Sequence, residues 1–344
     1  MSDIENTIAQ LHTNAQNYFP EFANRKLAFK QLPFLEASTY PIYMVEVSSE
    51  GITKKLVIKF APIFDDFCEG QIEYKNMRHL QENPKIKHAN LGFINCLDYL
   101  KEQNALIMEF SEGERFSNWF LQNNSIVTSS QNKTLLAQHI KSSGLWLQTF
   151  HHQNRFPALT VAQSDIEHSI SELLSKANDL NLLSSTSSTI IEQTSAVLKN
   201  LENVSLPQSL VHGDFGLQNI NIQDNKVYVF DLQRDHAECI YHDIAYFLVT
   251  LDTLNPYPKH VFFSKRRSKQ LKQDFLTGYF KGTPDNDEIK MLNIYIIRNL
   301  IQRTIKQYNN NKKRFAKHLT ILTYLLNRQF EQKINFYLNN LNSK

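Results

Sequence analysis

Along the first residues, Ile4, Ile8 and Leu11, and later Phe19 and Phe22, return to one face at helical spacing. That pattern predicts an amphipathic helix over about the first thirty residues. The pattern then shortens to alternation. "IYMVEV" and "KKLVIKF" read as strands joined by the turn "SSEG". "QIEYKNMRHLQE" returns to helical spacing and should end near Pro84, and "FINCLDYL" and "ALIMEF" are the next strand candidates. Beyond Gly113 most segments are helical in pattern, among them "LLAQHIKSSGLWLQTFHH" and "SISELLSKANDL". "SSTSS" (Ser184–Ser188) reads as a loop, and the closing "FYLNNLNSK" as a frayed end. This order predicts an α+β chain of two lobes meeting near residues 110–114. Residues 1–110 would form a small β-rich lobe with a leading helix, and residues 111–344 a larger, mainly helical one.

Composition agrees with an ordinary globular chain: 42% of the 344 residues are hydrophobic and 21% charged. The apolar runs are far shorter than the roughly 20 residues of a membrane helix. The opening "MSDIENTIAQLHTNAQNYF" has neither a basic start nor an apolar stretch of the signal-peptide kind. Cys68, Cys96 and Cys239 are widely spaced and form no CxxC pair, which suits free thiols in a reducing cytoplasm. Charge changes the picture more. Residues 1–258 hold 19 Lys and Arg against 29 Asp and Glu, whereas residues 259–344 hold 18 against 5. A tail so biased is suited to an anionic partner: phosphate, an acidic glycan, a lipid surface or nucleic acid.

The candidate chemistry lies in "LVHGDFGLQNINIQDNKVYVFDLQR", Leu210 to Arg234. Ile220 and Ile222, then Val227 and Val229, alternate with polar or aromatic neighbours, and Asp224-Asn225 between them is a two-residue hairpin turn. Pairing across that turn places Gln218 opposite Asp231 and Asn219 opposite Phe230, so Asn219 and Asp231 reach the same end of the hairpin. A carboxylate beside an amide oxygen suits a hard cation such as Mg²⁺. Asp214, five residues before Asn219, is a separate carboxylate able to take a proton from an attacking hydroxyl. Asp and Asn are also ordinary turn residues, and it is the combined spacing that outweighs a merely polar hairpin.

"HGDFGLQN" followed by "VFDLQ" resembles the HGDxxxxN…D signature of the aminoglycoside phosphotransferase and choline kinase-like superfamily, relatives of protein kinases. The resemblance implies a protein-kinase-like fold and a kinase using Mg²⁺ with ATP or GTP. It makes Asp214 the catalytic base, Asn219 and Asp231 the metal ligands, and His212 a scaffold of the loop. "YHDIAYFL" is similar to the segment after the metal-binding acid, where Asp243 would brace that loop. On the nucleotide side the resemblance implies that Lys59, in "LVIKFAP", pairs with a helix glutamate. Glu73 is in family order, and Glu69 competes for the role. "ALIMEFSEGERF" resembles the hinge, where main-chain groups of Glu109, Phe110 and Ser111 would bond the base. The phosphate-covering loop should fall in "LEASTYPIYMVEV", which has no glycine, so Ser38, Thr39 and Tyr40 would approach the phosphates instead. The resemblance runs from about Thr39 to Thr250.

The acceptor is less legible. "DLQR" at Asp231–Arg234 looks like the D-L-H-R run of bacterial kinases acting on lipopolysaccharide-core sugars, with glutamine for histidine. With the basic tail, it favours a hydroxyl of a sugar or anionic glycan, and the tail also suits peripheral contact with an anionic membrane surface. Competing expectations are an aminoglycoside-type antibiotic kinase, whose polycationic substrates would favour an acidic pocket, and a nucleotide-binding pseudokinase. A nucleic-acid module using the basic tail is disfavoured, because the tail's aromatics recur at core-like helical spacing. His151 and His152 read as packing and capping residues, and one of Arg298 and Arg303 could turn inward to an anion.

Overall fold

The computed structural model describes residues 3–33, 41–61, 63–64, 67–82, 91–124, 128–159, 163–201, 205–253, 265–314 and 319–341. The chain divides into two compact units, Met1–Phe150 with Leu217–Asp235, and His151–Gly216 with His236–Lys344.

In the first unit, α1 (Asp3–Tyr18) stops ahead of Pro20, which opens a short 3₁₀ turn, Pro20–Phe22. The leading helix is therefore shorter than expected, and residues that the helical pattern had absorbed form β1 (Ala28–Leu32). β2 (Ile42–Ser49) and β3 (Ile52–Phe60) form the expected hairpin, turning through Glu50 and Gly51 at φ 46° and 84°. Two short pieces, β4 (Ile63–Phe64) and β5 (Phe67–Cys68), pair with each other ahead of α2 (Glu69–Glu82).

Around "FINCLDYL" there are two strands: β6 (Leu91–Phe93) ends at its first residue, and β7 (Cys96–Leu100) fills its last five. They diverge because they serve different sheets. β7 pairs with β8 (Ala105–Glu109) in the order β1-β2-β3-β8-β7, whereas β6 runs parallel to a strand far along the chain. Leu11, Phe19 and Phe22 pack on Val45, Val47, Leu56, Ile58 and Ile107 of the five-stranded sheet, so α1 closes one of its faces.

The unit continues through β9 (Glu114–Arg115), α3 (Phe116–Asn123) and α4 (Ser130–Gln153), whose last residues belong to the second unit. That second unit contains β10 (Arg155–Leu159), α5 (Gln163–Asp179), α6 (Ser187–Asn200) and β11 (Leu206–Leu210). α6 begins inside the "SSTSS" stretch, where Thr186 and Ser187 are buried. The chain then returns to the first unit for β12 (Ile220–Gln223) and β13 (Lys226–Val229). It completes the second unit with β14 (Ala237–Cys239), α7 (Tyr241–Thr253), α8 (Lys265–Tyr279), α9 (Asn286–Arg314) and α10 (Leu319–Leu341). α10 continues to Leu341, into the segment expected to fray, because Tyr337, Leu338 and Leu341 are buried and hold it; residues 342–344 lie outside the described residues.

Sheet pairing joins the two segments of the first unit. β12 and β13 lie in the sheet order β6-β13-β12-β9, which ties residues 217–235 to strands from the front of the chain. Gly113 makes that pairing possible: a Cβ there would lie 2.7 Å from the Ile222 carbonyl oxygen. The second unit has its own sheet, β10-β11-β14, and its helix α9 packs against α5, α7 and α10.

Candidate active site

Side chains alternate across β3. Leu56 and Ile58 face the α1 core, which leaves Lys59 on the opposite surface of the strand, where it is 7% exposed. On α2, Gly70, Glu73, Met77 and Leu80 make up the buried stripe at helical spacing, so Glu73 is a carboxylate in a core row. The two meet: Lys59 Nζ lies 2.7 Å from Glu73 Oε2, and 2.6 Å from Asp231 Oδ1. Lys59 thus pairs with Glu73 rather than with Glu69. Burial would lower the lysine's pKa, but the charges of Glu73 and Asp231 outweigh it and hold the pKa above the ordinary lysine value. Burial also raises Glu73, against the opposing pull of Lys59.

Asp231 has φ 74°, in the left-handed region where a residue with a Cβ is strained by about 1–3 kcal/mol. Its backbone N–H donates to Glu73 Oε1 at 3.2 Å while its carboxylate faces Lys59, so the same two residues hold both ends of it. The sequence did not reveal Asn76. From the next turn of α2, its Nδ2 donates to the carbonyls of Leu232 and Arg234, both at 2.8 Å, and fixes the chain just after Asp231.

The hairpin has the register its alternation required. Ile220 faces Val229, Asn221 Tyr228, Ile222 Val227 and Gln223 Lys226, and the Phe230 N–H donates to the Asn219 carbonyl at 3.2 Å. Asp224 and Asn225 carry φ 50° and 60°, the paired positive angles of a type I′ turn. Asn219 ends the short 3₁₀ helix Leu217–Asn219 and is 8% exposed.

Near the expected hinge, the Glu109 N–H already donates to the Asn95 carbonyl and the Phe110 N–H to the Lys55 carbonyl, both at 2.9 Å. The Ser111 hydroxyl donates to Gln223 Oε1 at 3.2 Å. A base bonded here would therefore use carbonyls or the Ser111 N–H rather than the amides of Glu109 or Phe110. Ser38, Thr39 and Tyr40 lie outside the described residues.

In the second unit, Asp214 follows Gly213, whose φ of 82° turns the loop. Asp243, fully buried on α7, accepts the N–H of His212 at 2.6 Å and of Gly213 at 2.8 Å. The N–H of Asp214 reaches His212 Nδ1 at 3.4 Å. Next to it, Phe215 packs on Phe247, which stacks on Phe275 with ring centres 4.1 Å apart.

His151, buried at the end of α4, is more than a cap. Its Nε2 is 3.0 Å from Asp243 Oδ2 and its Nδ1 2.8 Å from the Tyr279 hydroxyl. Burial opposes the Asp243 charge, but His151 and His242 outweigh it and hold the carboxyl far below the usual carboxylate range. Of the other expectations, His152 is exposed, and Arg298 Nε donates to Ser169 Oγ at 2.8 Å.

The donor set suits a hard cation. Asn219 and Asp231 offer only oxygen ligands, and Asp231 keeps a third of its side chain exposed beside Lys59. Among the described residues no three His, Cys, Asp or Glu gather as a self-contained metal cage. A metal here would complete its shell with phosphate and water oxygens, as Mg²⁺ does on nucleotides.

No family model and no curated protein matches the chain. Solved structures do. A glucosamine kinase is similar over 95% of this chain and 84% of its own, at 15% identity and a TM-score of 0.58. Amicoumacin kinase, determined with AMP-PNP, Ca²⁺ and Ami, is similar over 95% and 96%, at 12% identity and 0.54. Choline kinase from Cryptosporidium parvum is similar over 97% and 95%, at 13% identity and 0.53. At such identities what is shared is the fold, the mixed α+β, protein-kinase-like fold of small-molecule kinases.

Proposed function

We propose that the chain is a Mg²⁺-dependent kinase that transfers the γ-phosphate of ATP or GTP to a hydroxyl of a small molecule, with a sugar as the preferred acceptor. The observation that carries this reading is the Lys59–Glu73–Asp231 cluster, a strand lysine held between a buried helix carboxylate and a strained aspartate. Such a lysine has no packing role that leucine would not fill better, and a buried, paired positive charge is the kind of group that binding phosphate oxygens calls for. The fold shared with glucosamine, choline and amicoumacin kinases supports it.

In this reading Asp214 orients the acceptor hydroxyl and takes its proton as the acceptor oxygen bonds to the γ-phosphorus and the bond from that phosphorus to the β–γ bridging oxygen breaks, releasing the nucleoside diphosphate. Asp243, with His151 behind it, keeps the His212–Gly213 backbone in place so that Asp214 holds its aim. Lys59 binds phosphate oxygens, Glu73 keeps Lys59 charged and extended, and Asn219 and Asp231 hold the metal. The bound divalent cation supplies charge neutralisation on the phosphates. A glucosamine kinase determined with glucosamine, ADP and inorganic phosphate makes amino sugars the first acceptors to try. The amicoumacin kinase keeps antibiotic phosphorylation as the alternative.

The test is nucleotide consumption against a panel of sugars, amino alcohols and aminoglycosides. An acceptor should raise turnover in wild type and not in Asp214→Asn, which should still bind nucleotide nearly as well. Wild-type turnover by that variant would overturn the assignment of Asp214. Nucleotide binding without transfer to any acceptor would favour the pseudokinase.

A further inference from the structure

Between Glu288 and Glu331 the sequence carries nine Lys and Arg and no Asp or Glu. The stretch covers most of α9 and the first half of α10, two helices packed together in the second unit. Lys306, Lys312, Lys313 and Arg328 are exposed on them.

α10 has two apolar faces. Leu326, Phe330 and Ile334 are buried in the unit's core. On the opposite side Ile321, Tyr324 and Leu325 are 64%, 63% and 52% exposed. They stand three and four residues apart, with Arg328 one turn further along the same stripe. A helix needs only one apolar face to pack, so the outer one is unexplained by folding.

We propose that this end of the α9–α10 pair is a docking surface for an anionic lipid bilayer. Ile321, Leu325 and the Tyr324 ring enter the boundary between headgroups and acyl chains, and Lys312, Lys313 and Arg328 meet lipid phosphates. Charge complementarity selects the occupant. A run with no acidic residue repels a second copy of itself, which argues against self-association through the same face. Exposed aliphatic side chains gain from acyl chains but not from the phosphate backbone of a nucleic acid. A tyrosine fits the layer between headgroup and hydrocarbon. The proposal does not depend on the kinase reading, since none of these residues belongs to the candidate active site.

Sedimentation with sucrose-loaded vesicles tests it, using the full chain. Wild type should sediment with vesicles of equal parts phosphatidylcholine and phosphatidylglycerol and stay in solution with phosphatidylcholine alone. A basic side chain close to the surface contributes about fivefold in partitioning. Lys312→Ala/Lys313→Ala should therefore weaken binding at least tenfold, while Lys312→Arg/Lys313→Arg retains it. Ile321→Ser/Leu325→Ser should weaken it too, without moving the unfolding midpoint, because both side chains are already in water. Equal binding to both vesicle types, binding to neither, or binding unchanged in both loss variants would overturn the proposal. So would tighter binding to duplex DNA than to anionic vesicles, or a dimer in sedimentation velocity that Ile321→Ser/Leu325→Ser dissolves.

Discussion

Lys59 is the residue on which the site turns, and its environment makes a prediction of definite sign. Removing one partner of a buried ion pair costs about 3–5 kcal/mol, because the other charge is left uncompensated. Lys59→Met should therefore lower stability to urea by about 3 kcal/mol near pH 8. Burial already raises Glu73, and without the lysine nothing opposes that rise. The glutamate then takes a proton as the pH falls, and the deficit should shrink towards pH 5; a deficit that grows on acidification would contradict the arrangement. Lys59 and Glu73 were both legible because each lies on a regular element with an unmistakable pattern. Asn76 and the His151–Tyr279 bond were not. Their partners lie over a hundred residues away, and an asparagine on a helix or a histidine at its end carries no local mark of a distant hydrogen bond.

At the scale of elements, the β12–β13 hairpin was readable nearly to the residue, since strand alternation and a two-residue turn together fix register. Its turn places a non-glycine residue at φ 60° in Asn225. Asn225→Gly should raise stability by a few tenths to about 1 kcal/mol, as glycine adopts that angle freely. Asn225→Val should cost about 1–2 kcal/mol and weaken nucleotide binding by shifting Asn219, which urea unfolding and calorimetry would each detect. Strands with distant partners were harder. The parallel pairing of β6 with β13 spans more than a hundred residues, and nothing in "FINCLDYL" shows that its first residue, Phe93, ends a strand of one sheet while Cys96–Leu100 joins another. β1 was hidden for another reason, since its five residues are all at least partly exposed and leave no apolar alternation to read.

Across the whole chain, the mixed α+β fold was legible from the order of periodicities. The long-range strand pairings were not, because they depend on which strands find each other. Acid stability is a property of the whole in which two buried groups stand out. His139 packs edge-on against Phe116 and Trp119, and burial lowers its pKa to about 4. The folded state binds this proton less readily than the unfolded chain, so stability should fall as pH drops from about 6.5 to 4. A loss of up to about 2 kcal/mol is expected, and His139→Phe should remove it. Asp243 acts lower. Its carboxyl is held below the usual range, so its contribution is complete above about pH 4 and disappears in stronger acid.

The central claim, that Asn219, Asp231 and Lys59 receive a metal-bound nucleotide triphosphate, meets its most direct test in calorimetric titration of a non-hydrolysable ATP analogue with Mg²⁺ and with EDTA, repeated on Asp231→Asn. Asparagine tolerates the left-handed backbone of this position, so the variant should fold. Mg²⁺ should tighten binding at least tenfold in wild type and have little effect in the variant. Equal affinity with and without Mg²⁺ in wild type, or an undiminished Mg²⁺ effect in Asp231→Asn, would contradict it.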